Sequence, residues 1–404
     1  MKRVLLVSQL APPSGLIAAR RIAALTKYLS RQGLELTVLT SRLSGEGPIE
    51  GAAEVVRTPD LLASGLNWRR RQLEVLSEGA PGDYGRPSRL QSLLVPDPAA
   101  VSWLPFALPR ARRLVREREY DVVLTTSPPQ SAHLVGAALA RRGLPWIAEL
   151  RDGWTFQPPR PDWPLAPLRA LDRRLERTLR GASAVVGVTG PIAADLQERL
   201  GVPAHVITNG VDPEELPGGS GPPLDPARHS FVHTGRVEVT GASLGPLLAA
   251  LRSLGPESAV EVVFAGPLSS DEAAELGSED LSGLVRVAGN LDRPTTLALQ
   301  RAADTLLLVT EGARRTSVAT GKLFEYLAAD KPILVLGDET EAARIVAETG
   351  TGAATSATDP AAIAAALTRA AEGNGFQPDT AALAQYVWPA LSARYAELIE
   401  SVGR

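Results

Sequence analysis

Short apolar runs and longer amphipathic stretches follow one another along this chain in a repeating order. Residues 3–7 (RVLLV) are almost continuously apolar, as a parallel strand covered on both faces requires. A Pro-Pro-Ser-Gly loop follows at 12–15. Leu16 to Ser30 then sets Ile22, Leu25 and Leu29 on one helical stripe. Gly33 ends that helix, and Leu36 to Leu39 reads as a second strand. Strand, loop, helix and strand make the doubly wound unit.

The same order recurs downstream. Strands are expected at 121–124, 145–148, 184–188 and 205–207, with helices at 131–140, 165–179 and 191–200. Residues 213–227 are dense in Pro and Gly and form the best linker candidate. Beyond them, strands at 230–234, 260–265, 285–287, 305–309 and 333–336 go with helices at 244–254, 323–329 and 360–371. The pattern predicts an α/β protein of two Rossmann-like, parallel-sheet domains facing across a cleft. The first covers 1–205, the second 206–384. A last segment, 385–404, holds a helix from about Pro389 to Ser401, with its proline in the first turn. Residues 60–118 are less regular. Basic runs at Trp68-Arg69-Arg70-Arg71 and Arg110 to Arg118 flank Leu93, Leu94, Trp103, Leu104 and Phe106. The plainer reading is helices and loops covering the first sheet; the sharper one is a surface for a membrane or a lipid-linked molecule.

Composition adds three points. A chain of 404 residues with 44% hydrophobic content can fill two ordinary cores. Its net charge of -3 argues against nucleic acid as a partner. That charge is unevenly spread, however. Residues 1–205 hold 28 Lys+Arg against 19 Asp+Glu, and residues 206–404 hold 14 against 26. A basic first half and an acidic second half fit two domains, with peripheral contact between the first and an anionic membrane as an added expectation. There is no cysteine, which excludes disulfides and thiolate metal sites and fits a cytoplasmic setting. The apolar start at 4–7 is too short for a signal peptide, and no apolar stretch approaches a membrane span.

Ligands of open parallel sheets bind beyond the carboxyl ends of the strands. The most informative such place is Thr320-Gly321-Lys322-Leu323-Phe324-Glu325-Tyr326, after the strand at 305–309. A helix start with a glycine offers free N–H groups and a positive dipole end to a phosphate, and Lys322 adds a full charge. Glu325 shares a helix face with Lys322. A carboxylate there suits two ribose hydroxyls one diphosphate-length away. The plainer reading is a surface Lys–Glu pair. Gly235-Arg236 could clamp a diphosphate, Ser14-Gly15 would let backbone approach the same point, and Gly289-Asn290 could present backbone to a base. Glu149, Arg151 and Asp152 follow the strand at 145–148, where a carboxylate could orient hydroxyls; a cap or an Asp152–Arg151 pair is the plainer alternative. His133, His205, His229 and His233 are scattered and give no metal-ligand pair, and no Asp-x-Asp motif is present. No metal and no cofactor are therefore expected.

Three stretches resemble family 4 glycosyltransferases of the GT-B fold. They are Thr126-Ser127-Pro128-Pro129 with Gly143 to Thr155, Asn209-Gly210-Val211-Asp212, and Gly321 to Ala328 with Lys331-Pro332-Ile333-Leu334. The resemblance implies sugar transfer with retention of configuration from a nucleoside-diphosphate sugar, a UDP-sugar foremost. The second domain would bind that donor and the first the acceptor: a glycan, a glycolipid or a small molecule. It implies that Glu325 holds the donor ribose and Arg236 its diphosphate, with Gly15 nearby and Arg151-Asp152 near the reacting sugar. Asp152, Arg236, Lys322 and Glu325 thus form the expected catalytic set. Gly15, Arg151, Gly235, Asn290, Thr320, Gly321 and Leu323 form the expected donor-binding set. The final helix would cross back onto the first domain. Departures are Ser317, where many members have a second glutamate, Gly241 in place of a lysine, and Arg151 in place of a histidine. Arg314, Arg315 or Lys322 could replace the missing lysine charge.

Envelope polysaccharide or glycolipid synthesis is the expected setting, with glycosylation of a secreted small molecule as the alternative. A sugar-nucleotide 2-epimerase on the same fold would want more histidines and carboxylates than this chain offers. A non-catalytic sugar-nucleotide binder is the reading that Ser317 motivates.

Overall fold

A computed structural model describes residues 1–14, 17–61, 97, 99–157, 166–215, 220–237, 244–310, 316–317, 319–373 and 376–403. Gly15, the basic run at 68–71, Leu93, Leu94, Gly241, Arg314 and Arg315 lie outside the described residues. The chain divides into two compact units. One runs from Met1 to Thr208 and takes up the chain again at Trp388; the other spans Asn209 to Val387.

The first unit holds β1 (Arg3–Val7), β2 (Glu35–Ser41), β3 (Glu54–Thr58), β4 (Val122–Ser127), β5 (Trp146–Leu150), β6 (Ala184–Gly187) and β7 (Ala204–Val206). They form one seven-stranded sheet in the order β3-β2-β1-β4-β5-β6-β7, parallel throughout. Its helices are α1 (Ile17–Arg31), α2 (Ala99–Ser102), α3 (Leu104–Glu117), α4 (Ala132–Ala140), α5 (Ala166–Glu176) and α6 (Gly190–Leu200). The strands bury side chains on both faces, so neighbouring residues enter different cores. Leu5 and Val7 of β1 pack with Trp103, Val135 and Trp146, whereas Val4 and Leu6 pack with Ile22, Leu25 and Leu29 of α1.

The second unit repeats the scheme with β8 (His229–Thr234), β9 (Val260–Ala265), β10 (Val285–Gly289), β11 (Thr305–Val309), β12 (Ile333–Leu336) and β13 (Gly352–Thr355). The order is β10-β9-β8-β11-β12-β13, again all parallel. Its helices are α7 (Gly245–Leu254), α8 (Ser270–Leu276), α9 (Arg293–Ala302), α10 (Gly321–Leu327), α11 (Glu341–Glu348), α12 (Pro360–Ala371) and α13 (Thr380–Leu383). Phe231, Leu307 and Val309 fill one core layer; Val232, Leu306 and Leu308 fill the other. The last helix, α14 (Trp388–Val402), belongs to the first unit. Its Trp388, Leu391, Tyr395, Leu398 and Ile399 lie in the core layer of α1, where their spacing of three and four residues makes one buried stripe.

Several elements escape the apolar pattern. β3 (EVVRT) and β13 (GAAT) are short and weakly apolar, and their pairing with β2 and β12 makes them strands. α8, α9 and α11 begin at side-chain caps. Ser269 and Glu272 form a reciprocal capping box, Asp292 accepts from the Thr295 N–H at 2.9 Å, and Thr340 caps α11.

Candidate active site

The carboxyl edge of the second sheet is lined by main chain at close quarters. After β8 the chain turns at Gly235 with φ 79°, and after β9 at Gly266 with φ 147°. A β-carbon on Gly266 would stand 2.7 Å from the Gly235 α-carbon, so only glycine lets these two loops touch.

Lys322, at the second position of α10, reaches into the Gly235 turn. A β-carbon on Gly235 would meet the Lys322 Cε at 3.3 Å. The amine donates to the Arg236 carbonyl oxygen and lies 3.0 Å from His233 Nε2. His233 is fully buried on β8, and its Nδ1 is 3.0 Å from the Leu307 carbonyl oxygen. A carbonyl only accepts, so Nδ1 carries the ring proton and Nε2 presents a lone pair to Lys322. Burial first, then the neighbouring lysine, holds the imidazole well below its ordinary pKa. Burial of the lysine amine lowers it to about 7 against the pull of Glu325 and Glu272, which favour the charged form. Among the described residues no carboxylate stands within ion-pair distance of it. The surface Lys322–Glu325 pair is therefore absent.

Glu325, one turn on, is held elsewhere. Its Oε1 is 2.6 Å from Arg293, whose other nitrogens grip Glu215 at 2.6 Å and 2.6 Å. Its Oε2 is 3.4 Å from the Gln300 amide. Arg293 opens α9, just past Asn290 on the loop after β10. The sequence reading missed both Arg293 and His233. Their ties to Glu325 and Lys322 span 32 and 89 residues of chain, beyond the reach of any local pattern.

Other expected residues sort differently. Thr320 caps α10 by position but not by side chain, and its buried hydroxyl oxygen has no hydrogen-bond partner. Gly321 opens the helix beside it. With only seven residues, α10 has a small dipole. Leu323 requires correction as a donor-binding residue. Its side chain is wholly buried in the core, and its N–H is taken by the Thr320 carbonyl oxygen at 3.1 Å. Asn290 is exposed at the end of β10, as a base-facing loop residue would be.

In the first unit, Arg151 is a brace. Its guanidinium donates to the carbonyl oxygens of Ser127 at 2.7 Å, Pro128 at 2.9 Å and Ala18 at 3.2 Å. It thereby ties the loop after β4, where the peptide bonds entering Pro128 and Pro129 are cis, to α1. Asp152 follows, half-buried. Glu149 is fully buried and pairs with Arg21 of α1. Arg21 also donates to the carbonyl oxygens of Thr208 (2.9 Å) and Ile207 (3.1 Å) and to the Tyr395 hydroxyl (3.0 Å), and it lies 5.2 Å from the Trp388 ring centre. Glu149 is thus a structural carboxylate. His133, buried against Trp154 and bonded through Nδ1 to Thr125 at 2.8 Å, is pushed down to about 3 by burial and by Arg151.

Residues 18–215 match the family model described as Glycosyltransferase Family 4. Over that stretch, just under half of the chain, the sequence is similar to glycosyltransferase family 4. The protein is a glycosyltransferase by this match and by its fold. No curated protein sequence matches it significantly. Solved structures match along the whole chain at low identity. A sucrose-phosphate synthase from Thermosynechococcus elongatus is 16% identical, with 99% of each chain covered and a TM-score of 0.63. A UDP-forming α,α-trehalose-phosphate synthase from Burkholderia vietnamiensis is 14% identical, with 100% of each chain covered and a TM-score of 0.66. An E. coli trehalose-6-phosphate protein bound with UDP-2-fluoro glucose is 16% identical, with 99% of this chain and 96% of that chain covered and a TM-score of 0.61. These likenesses show the fold: two parallel-sheet α/β units, as in GT-B glycosyltransferases. Within the glycosyltransferase, Ser317 is buried, and among the described residues no cluster of His, Asp or Glu could hold a metal. No helix among the described residues is long and apolar enough to cross a membrane.

Proposed function

We propose that this glycosyltransferase transfers a sugar, with retention of configuration, from a nucleoside-diphosphate sugar held at the carboxyl edge of the second sheet. A UDP-sugar is the favoured donor, in line with the UDP named for the Burkholderia and E. coli neighbours. One observation carries the reading: a half-buried Lys322 amine with no carboxylate at ion-pair distance among the described residues, set against the Gly235-Arg236 turn one helical turn from Glu325. Lys322 and Arg236 would take the diphosphate, where negative charge gathers as the sugar leaves. Glu325 would accept from the ribose hydroxyls. The leaving phosphate oxygen would take the proton of the attacking acceptor hydroxyl. Asp152, in the first unit, is assigned to hydroxyl recognition.

The acceptor assigned here is a glycan or glycolipid of the cell envelope, with a peripheral membrane contact through the basic first half of the chain. A small-molecule acceptor is the alternative. Thermal denaturation with UDP, GDP and dTDP tests the donor, since a ligand bound by the folded state raises its stability. UDP is expected to give the largest shift. K322M and E325Q are each expected to cut turnover by about 100-fold, the loss of one strong charge-assisted contact in the transition state. Unchanged turnover in both variants refutes the site.

A further inference from the structure

The hydrogen bonds around Lys322 can be met in full by an uncharged amine. Its nitrogen is offered two acceptors, the Arg236 carbonyl oxygen and His233 Nε2. Both are neutral, and the His233 tautomer is set by its bond to the Leu307 carbonyl oxygen. An uncharged amine has two N–H bonds and one lone pair. The two N–H bonds match the two acceptors, which leaves the lone pair facing away from them. Among the described residues, the charged groups that reach the amine do so from a distance: Glu325 on its own helix and Glu272 from α8. No other titratable group on β8 or β11 touches it except His233.

We propose that Lys322 rests uncharged in the free enzyme and takes up one proton when the donor diphosphate arrives, with neutral His233 as the residue that positions it. This rests on the donor reading above. The step balances simply. A solvent proton joins the Nζ lone pair, the amine becomes an ammonium with three N–H bonds, and the third points at the phosphate oxygens. No bond to carbon changes. When the nucleoside diphosphate departs, the proton returns to solvent. The positive charge would then exist chiefly while there is an anion to hold, which spares the free enzyme most of the cost of a buried, unpaired cation.

Isothermal titration of the whole chain with UDP at pH 8.5, in buffers of different ionisation enthalpy, tests this. Close to one proton taken up per UDP is expected. K322M should bind UDP at least ten-fold more weakly and take up none. Over pH 7.5 to 9.5 the wild-type Kd should rise toward ten-fold per pH unit, a slope K322M lacks. UDP binding without proton uptake, or with equal uptake in K322M, overturns the inference and leaves the donor reading intact. Failure to bind UDP, GDP or dTDP at any pH overturns the donor reading itself. Should K322M not fold, the wild-type pH slope still decides.

Discussion

Each unit sets a basic side chain against its sheet, Arg21 buried and Lys322 half-buried, and the two are treated in opposite ways. Arg21 is surrounded: a carboxylate, two carbonyl oxygens, a phenol and an indole face satisfy it. Lys322 has two neutral acceptors and no carboxylate at ion-pair distance among the described residues. A buried charge whose partners are all supplied by the fold is committed to structure. Arg21 joins α1, β5, the chain leaving the first unit at 207–208, and the returning α14, so its bonds close that unit. A buried base whose charge the fold leaves uncompensated is ready for an anion from outside. Physical completeness, more than burial alone, separates the brace from the binding group.

The strongest test of that contrast is R21M. Removing one member of a buried pair strands the other, at a cost of about 3–5 kcal/mol. The denaturant midpoint of the first unit should fall accordingly, and a loss below about 1 kcal/mol breaks the comparison. R293Q comes next. It frees Glu325 from its hold without touching Lys322, so the donor KM should rise about ten-fold while kcat changes less than about two-fold, the pattern of lost ground-state positioning. An equal fall in kcat would place Arg293 in the chemistry instead.

The smallest effect concerns stability and pH. The folded pKa of Lys322, about 7, lies below its ordinary value of 10.5. Between those values the unfolded chain binds the proton and the native chain does not, so this group raises stability as pH increases. Below pH 7 both states are protonated and the native protein bears the whole cost of a buried cation. K322M removes that cost. Its melting temperature should exceed that of the wild type by a few degrees at pH 6, with the gap closing toward pH 10. A gap that widens with pH would reverse the assignment and make Lys322 a second structural brace.

Much of the architecture was open to reading along the chain. The runs at 3–7, 145–148, 230–234, 305–309 and 333–336 are apolar on both faces, and the stripe of Ile22, Leu25 and Leu29 repeats at helical spacing. These signals lie within a few residues of one another, so chain order alone carries them. The helix start at Gly321-Lys322 with Glu325 was legible for the same reason. Arg151 and Leu323 were misread because their role depends on what faces them: three distant carbonyl oxygens for one, a packed core for the other.

Sequence by itself therefore determined the alternation of strands and helices and the chemical types near the second sheet's edge. Tertiary structure decided which charges are answered. Arg21 meets Tyr395 across 374 residues and Lys322 meets His233 across 89. Such partnerships arise only when separate strands and helices are brought into one layer. The charge state of a buried group is set by those distant neighbours and by the loss of water around it, neither of which is written in its local sequence.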